Sequence, residues 1–155
     1  MFIELKNVKH AAFASQETNC FEATVYIDGK RAGTVSNEGY GGCNSYHPRE
    51  LEDRLNAYAK TLPPLEGYGS TLEQDADIVI DDIFLKHLVA ADYRRAIKRA
   101  VLFKKADGHL YTIKPKSGTV ADLLAKRDKV PALAAAVAIL NLMPEPDALK
   151  LYSAA

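Results

Sequence analysis

Residues Phe21-Glu22-Ala23-Thr24-Val25-Tyr26-Ile27 alternate apolar and polar side chains and run straight into Asp28-Gly29. Alternation with period two places Phe21, Ala23, Val25 and Ile27 on one face of a strand. Asp-Gly is the pair that a two-residue type I′ turn favours, because both central residues need positive φ. The run that follows, Arg31-Ala32-Gly33-Thr34-Val35-Ser36, supplies the returning strand. A hairpin with one buried face needs something apolar to cover it, which excludes an all-helical chain and requires helices or a second sheet elsewhere.

The rest of the chain supplies both. Ile3 to Val8 reads as a further strand, and residues 10 to 19 are too polar at their end to continue it, so they form a loop or a bulged edge. After a glycine-rich segment, His47-Pro48 opens a helix in which Leu51, Leu55, Tyr58 and Leu62 form one stripe, stopped by Pro63-Pro64. Residues 65 to 71 are a connector containing Gly67 and Gly69. A second helix is expected from Asp75 to about Ala91, with Asp75 and Asp77 at the positive end of its dipole. Asp92 then suits the N-cap of a separate basic helix over 93 to 100. Val101 to Lys114, turning at Ala106-Asp107-Gly108-His109, is a second hairpin, and helices are expected over 120 to 127, 132 to 143 and the last turns after Pro146. The longest apolar run, Val130 to Leu140, is short of the roughly 20 residues that span a bilayer and reads as a buried helix.

The expectation is one α+β domain over 1–155, β-rich over residues 1–46 and helical, with the second hairpin, over residues 47–155. Its mainly antiparallel sheet, from the N-terminal strand and two hairpins, is covered by helices near 48–62, 75–91 and 131–143. Whether the second hairpin joins the first sheet stays open. The N-terminus lacks a long apolar region with a small-residue cleavage site, and Cys20 and Cys43 make no dense disulfide framework, so a cytoplasmic location with free thiols is expected.

Zero net charge conceals a segregation. Residues 66–85 hold six acids and no base, and residues 86–130 hold twelve bases and four acids. Such blocks pair with each other or present a basic face to a partner; internal pairing is the expectation.

The stretch Lys6-Asn7-Val8-Lys9-His10-Ala11-Ala12-Phe13, with Asp28-Gly29-Lys30, Val35-Ser36-Asn37-Glu38-Gly39, Gly41-Gly42 and His47-Pro48, resembles small uncharacterised proteins encoded by bacteriophages and prophages. Val101-Leu102-Phe103, Ile139-Leu140-Asn141 and Ala148-Leu149-Lys150-Leu151-Tyr152 are similar too. The resemblance implies a bacterial cytoplasm during infection or lysogeny, where small accessory proteins bind and modulate host proteins.

Several groups of residues suit a function. His10, Cys20, Cys43 and His47 are acceptable zinc ligands, but gaps of nine, twenty-two and three residues match no compact zinc motif, so no metal and no cofactor is expected. Gly39-Tyr40-Gly41-Gly42-Cys43 lacks the lysine and hydroxyl ending of a P-loop, which leaves a small-molecule, anion or enzymatic site over 37–47, with Glu38 or His47 as acid or base and Cys43 as nucleophile, as an alternative. Arg94, Arg95, Lys98, Arg99, Lys104, Lys105, Lys114 and Lys116 interleave with Tyr93 and Tyr111, which makes nucleic-acid binding through 93–116 a further alternative. The leading expectation is a non-enzymatic module that binds a host or phage protein, with no membrane association, through the polar ends of the first sheet, His10 with Ser15 to Asn19 and Asn37 to His47. Asn37, Glu38, Tyr40, Asn44, Tyr46 and His47 would be its contact residues, because rigid tyrosines beside adaptable amides suit recognition.

Overall fold

The computed structural model describes residues 1–67 and 70–154. Its architecture is α+β with every strand pairing antiparallel, and it divides into two compact units, Met1–Lys86 and His87–Ala155.

The first unit holds a four-stranded sheet in sequence order, β1 (Ile3–His10), β2 (Phe21–Ile27), β3 (Lys30–Asn37) and β4 (Ser45–His47). The turn between β2 and β3 has φ of 49° at Asp28 and 77° at Gly29, the positive pair expected of a type I′ turn. Phe21, Ala23, Val25 and Ile27 are all buried, as the alternation requires. Cross-strand register extends that face, because directly opposed residues share a side: Leu5 and Gly33 oppose Val25, and Val35 opposes Ala23. A bulge between Lys6 and Lys9, with Asn7 at φ 52°, kinks the exposed edge strand β1 at a residue type that tolerates the left-handed region.

Two helices cover the buried face. Helix α1 (Glu50–Ala59) turns Leu51, Leu55 and Ala59 inward, and the chain has left helical geometry before Leu62. Gly33 lets it come close: a Cβ there would lie 2.9 Å from a Leu51 methyl carbon and would collide with the His47 carbonyl oxygen. The first half of helix α2, which spans Ala76–Arg99, brings Val79, Ile80 and Phe84 to the same face, with Phe84 stacked on Phe21 at 4.2 Å between ring centroids. An aromatic pair of this kind contributes about 0.5–1.5 kcal/mol beyond its buried area. The connector expected over 65–71 forms a small hairpin, β5 (Leu65–Gly67) with β6 (Ser70–Leu72); Gly69 lies outside the described residues.

The second unit is built on a three-stranded sheet in the order β8-β7-β9, from β7 (Val101–Lys104), β8 (Leu110–Ile113) and β9 (Ala138–Ile139). The second hairpin therefore has a sheet of its own. Val101 and Phe103 pack with Ile113 of β8 and with Leu123, Leu124 and Leu133 from the short helices α3 (Val120–Ala125) and α4 (Pro131–Ala134). On the opposite side Leu102 meets Tyr93, Leu140 and Ala148, the last on α5 (Glu145–Ser153).

Two expectations fail here. Asp92 does not cap a new helix: α2 runs unbroken through it, since the segment contains no glycine or proline to interrupt the hydrogen-bond ladder. Its carboxylate instead accepts from the Tyr152 hydroxyl at 2.6 Å and pairs with Arg95. The Ala-rich segment is not a buried helix over 132–143 but one helical turn, a two-residue strand and a 3₁₀ turn over Leu140–Leu142. Helix propensity is a weak prior that tertiary partners override. The partner is the free edge of β7, which takes Val137 N–H on the Lys104 carbonyl at 2.9 Å and pairs Phe103 with Ile139. Released from a helix, Asn141 donates to the Ile97 and Ala100 carbonyls at the end of α2 and accepts from Leu102 N–H at 2.8 Å.

Candidate functional site: two docked loops on the first sheet

One end of the four-stranded sheet carries the loops 11–20 and 38–44, and their conformation follows from the strand register. The pairing of Val35 with Tyr46 and of Ser36 with Ser45 alternates the β4 side chains, so Tyr46 falls on the helix-covered side and Ser45 and His47 on the other. Continuing that alternation puts Asn44 beside Asn37, whose side-chain amide donates to the Asn44 side-chain oxygen at 3.0 Å.

Three of the six expected contact residues thus point into the protein. Asn44 is buried, donates from its side chain to Asp81 at 3.0 Å, and donates from its backbone to Asp77 at 3.2 Å. The half-buried Tyr46 donates its hydroxyl to Asp77 at 2.7 Å. Asn37 accepts from Thr18 and from Gly39 N–H, and donates also to the Gly42 carbonyl. Glu38, Tyr40 and His47 are the exposed members of the set.

The acceptors of this network are the carboxylates of Asp77 and Asp81, one turn apart on the first two turns of α2. Asp75 caps that helix, accepting from Ile78 N–H at 2.9 Å, and Asn56 on α1 accepts from Ala76 N–H at 2.8 Å. Burial, and then the charge of Asp77, holds the Asp81 carboxyl above its ordinary range, against the opposing effect of the Asn44 amide. Burial and the bond to Asp77 push the Tyr46 hydroxyl up as well.

The same acid decides the chemistry of Cys43. Its exposed thiol is held above its usual value by a hydrogen bond to Asp77 and by the negative charge of that residue. A nucleophilic cysteine needs the opposite, an electropositive setting that favours thiolate. The ligands of a zinc site do not gather either: among the described residues no group of three or more His, Cys, Asp or Glu side chains could hold a metal. His10 lies edge-on to Phe84, with ring centroids 5.5 Å apart, and 3.4 Å from the Ser15 hydroxyl.

The loops are fixed to each other through Gly39. Its carbonyl accepts from Gln16 N–H at 2.9 Å and Glu17 N–H at 3.0 Å. Its φ of 87° and its place against the Ala14 carbonyl, where a Cβ would collide, leave no residue but glycine. The Ser15 hydroxyl accepts from Cys20 N–H and donates to the Ala11 carbonyl, closing the base of the loop.

On this braced pair of loops Phe13 stands 94% exposed and Tyr40 62% exposed. Phe13 is absent from the contact residues expected from sequence. Its signal is a lone aromatic in a short stretch with no apolar periodicity, Ala11-Ala12-Phe13-Ala14, which folds as a single 3₁₀ turn over Ala12–Ala14 with no buried residue.

The aromatics of the basic segment are committed elsewhere. Tyr93 is 2% exposed and donates its hydroxyl to the Leu140 carbonyl at 2.9 Å; Tyr111 donates to Asp107 and lies under the Lys105 ammonium. Arg94 is bound by Glu145, which leaves less of the 93–99 helix for phosphate than its composition promised. Among the described residues no helix is long and apolar enough to cross a membrane. No family model, curated protein or solved structure matches the chain significantly.

Proposed function

We propose that the chain is a non-enzymatic interaction module that holds a protein partner on the docked loops 11–20 and 38–44. The observation that carries this reading is Phe13, an almost fully exposed aromatic on a loop whose backbone is already fixed. Leaving a phenylalanine in water forgoes about 1.5–3 kcal/mol of burial. A partner with a pocket for that ring recovers it, and because the loops are braced, little ordering entropy is lost on binding. Tyr40 supplies a second rigid anchor, and aromatic residues dominate the energetics of protein interfaces. Glu17 and Glu38, both exposed, rim the patch with negative charge, so the partner surface is an apolar pocket with basic groups beside it. Asn37, Asn44 and Tyr46 serve as the scaffold, and the raised thiol of Cys43 argues against covalent catalysis in the same loop.

The resemblance to phage-encoded accessory proteins directs the search for that partner to a bacterial cytoplasm. The test is affinity capture from bacterial lysate with the wild-type chain and with the F13S/Y40S variant. A partner retained by the wild type and lost by the variant supports the reading, provided the melting temperature is unchanged. Exposed sites of this kind alter stability by no more than about 0.5 kcal/mol. A variant that captures the same protein as well as the wild type does would refute it.

A further inference from the structure

The second unit carries a charge that it does not neutralise. Residues 87–155 contain twelve bases and six acids, net +6, whereas residues 1–86 contain eight bases and fourteen acids, net −6. Within the second unit the ion pairs are Arg94 with Glu145, Arg95 with Asp92 and Lys150 with Asp147. Among its described residues, no carboxylate lies within ion-pair distance of Lys114, Lys116 or Lys126.

Those three lysines surround one groove of about 330 Å³. Its floor is aliphatic, formed by the half-buried Ile113, Pro115 and Leu123. The one carboxylate in the wall, Asp122, is occupied: it accepts from the backbone and hydroxyl of Thr119, both at 2.8 Å, in a capping box that starts α3. Ile113 also ends β8, the edge strand of its sheet, whose outer side is paired by no strand among the described residues.

We infer that this groove is a second binding site, for an extended acidic peptide segment bearing aliphatic side chains. Charge complementarity selects the acid, and the floor selects aliphatic residues at alternate positions. The peptide continues along β8 by adding a strand to the open edge, a common mode of peptide recognition. Lysines and a proline beside an edge normally discourage stray pairing; here they admit only a strand that carries negative charge. A nucleic acid fits less well. No aromatic ring lines the groove for bases to stack on, and nucleic acid has no backbone amides to complete a β ladder. The site is independent of the loops around Phe13.

The test is fluorescence anisotropy with the full chain and a labelled nine-residue peptide of alternating glutamate and leucine. Two controls are the peptide with lysine for glutamate and an oligothymidylate of nine nucleotides. The acidic peptide should bind, more weakly at higher salt, and K114E/K126E should weaken it by about tenfold or more, about 1.4 kcal/mol. Both lysines are exposed, and an unchanged circular dichroism spectrum establishes that the variant is folded. F13S/Y40S should bind the peptide as the wild type does. The inference is overturned if the acidic peptide does not bind, if it binds no better than the lysine peptide, or if K114E/K126E binds it equally. Tighter binding of the oligothymidylate, lost in the same variant, overturns it in favour of a nucleic-acid site.

Discussion

Replacing Asn44 with alanine tests whether the loop surface depends on the polar network beneath it. Asn44 is 8% exposed, and its side chain links two others, accepting from Asn37 and donating to Asp81. The neutral bond is worth about 0.5–1.5 kcal/mol and the one to a carboxylate about 1.5–3 kcal/mol, so Asn44→Ala should cost about 2–4.5 kcal/mol. Water entering the gap would bring that loss toward the lower end. The cost should also depend on pH. Asp81 without its donor becomes still harder to ionise inside the fold, so the variant should lose more stability at neutral pH, where the carboxylate is charged, than below the ordinary aspartate value of 3.8, where it is protonated with or without the donor. Urea unfolding of the full chain at both pH values measures this. A loss below about 0.5 kcal/mol, the level of an inert surface change, would refute the reasoning. So would a loss that is the same at both pH values, because the network would then not centre on the Asp81 charge.

Asp81→Asn keeps an acceptor for Asn44 and removes a charge whose folded-state pKa is raised. A group so raised binds its proton in the folded state first, so its contribution rises as pH falls through the window above about 3.9 and is lost as pH increases. The variant should therefore gain on the wild type above that window in pH-dependent urea unfolding, while the acid-side loss from the depressed Asp107, Asp122 and Glu145 carboxyls stays. Alkylation of Cys43 by iodoacetamide near pH 8 should be slow for an exposed thiol and several-fold faster in Asp77→Asn, read by mass spectrometry of the Cys43 peptide. Asn141→Ala strands three backbone groups at the junction of α2 and β7 and should cost about 2–4 kcal/mol in thermal or urea unfolding. Asn141→Asp should be no better, since a carboxylate would face the Ile97 and Ala100 carbonyls.

Local chemistry alone determined the first hairpin, the inward face Phe21-Ala23-Val25-Ile27, the stripe of α1 and the second hairpin. Each rests on interactions between residues a few positions apart, where turn conformation and periodicity leave one solution. The loop glycines were legible as a place of special backbone geometry, and Tyr40 as an exposed residue. That Asn44 and Tyr46 face inward follows from the pairing of β4 with β3, a register that three residues of strand cannot announce. The destination of their polar groups, Asp77 and Asp81, lies more than thirty positions away. Asp92 looked like a cap because its residue type suits one; only the packing of Tyr152 against α2 gave that carboxylate another role. The alanine-rich segment favoured a helix by propensity, yet an open strand edge at β7 and the end of α2 offered hydrogen bonds that a helix would have left unmade. Likewise the basic stretch was visible as composition, but only the fold brought Lys114, Lys116 and Lys126 around one groove while removing Tyr93 to the core. Short-range order is written in neighbouring residues, whereas these choices depend on which distant group completes a hydrogen bond, and that is decided when the chain closes on itself.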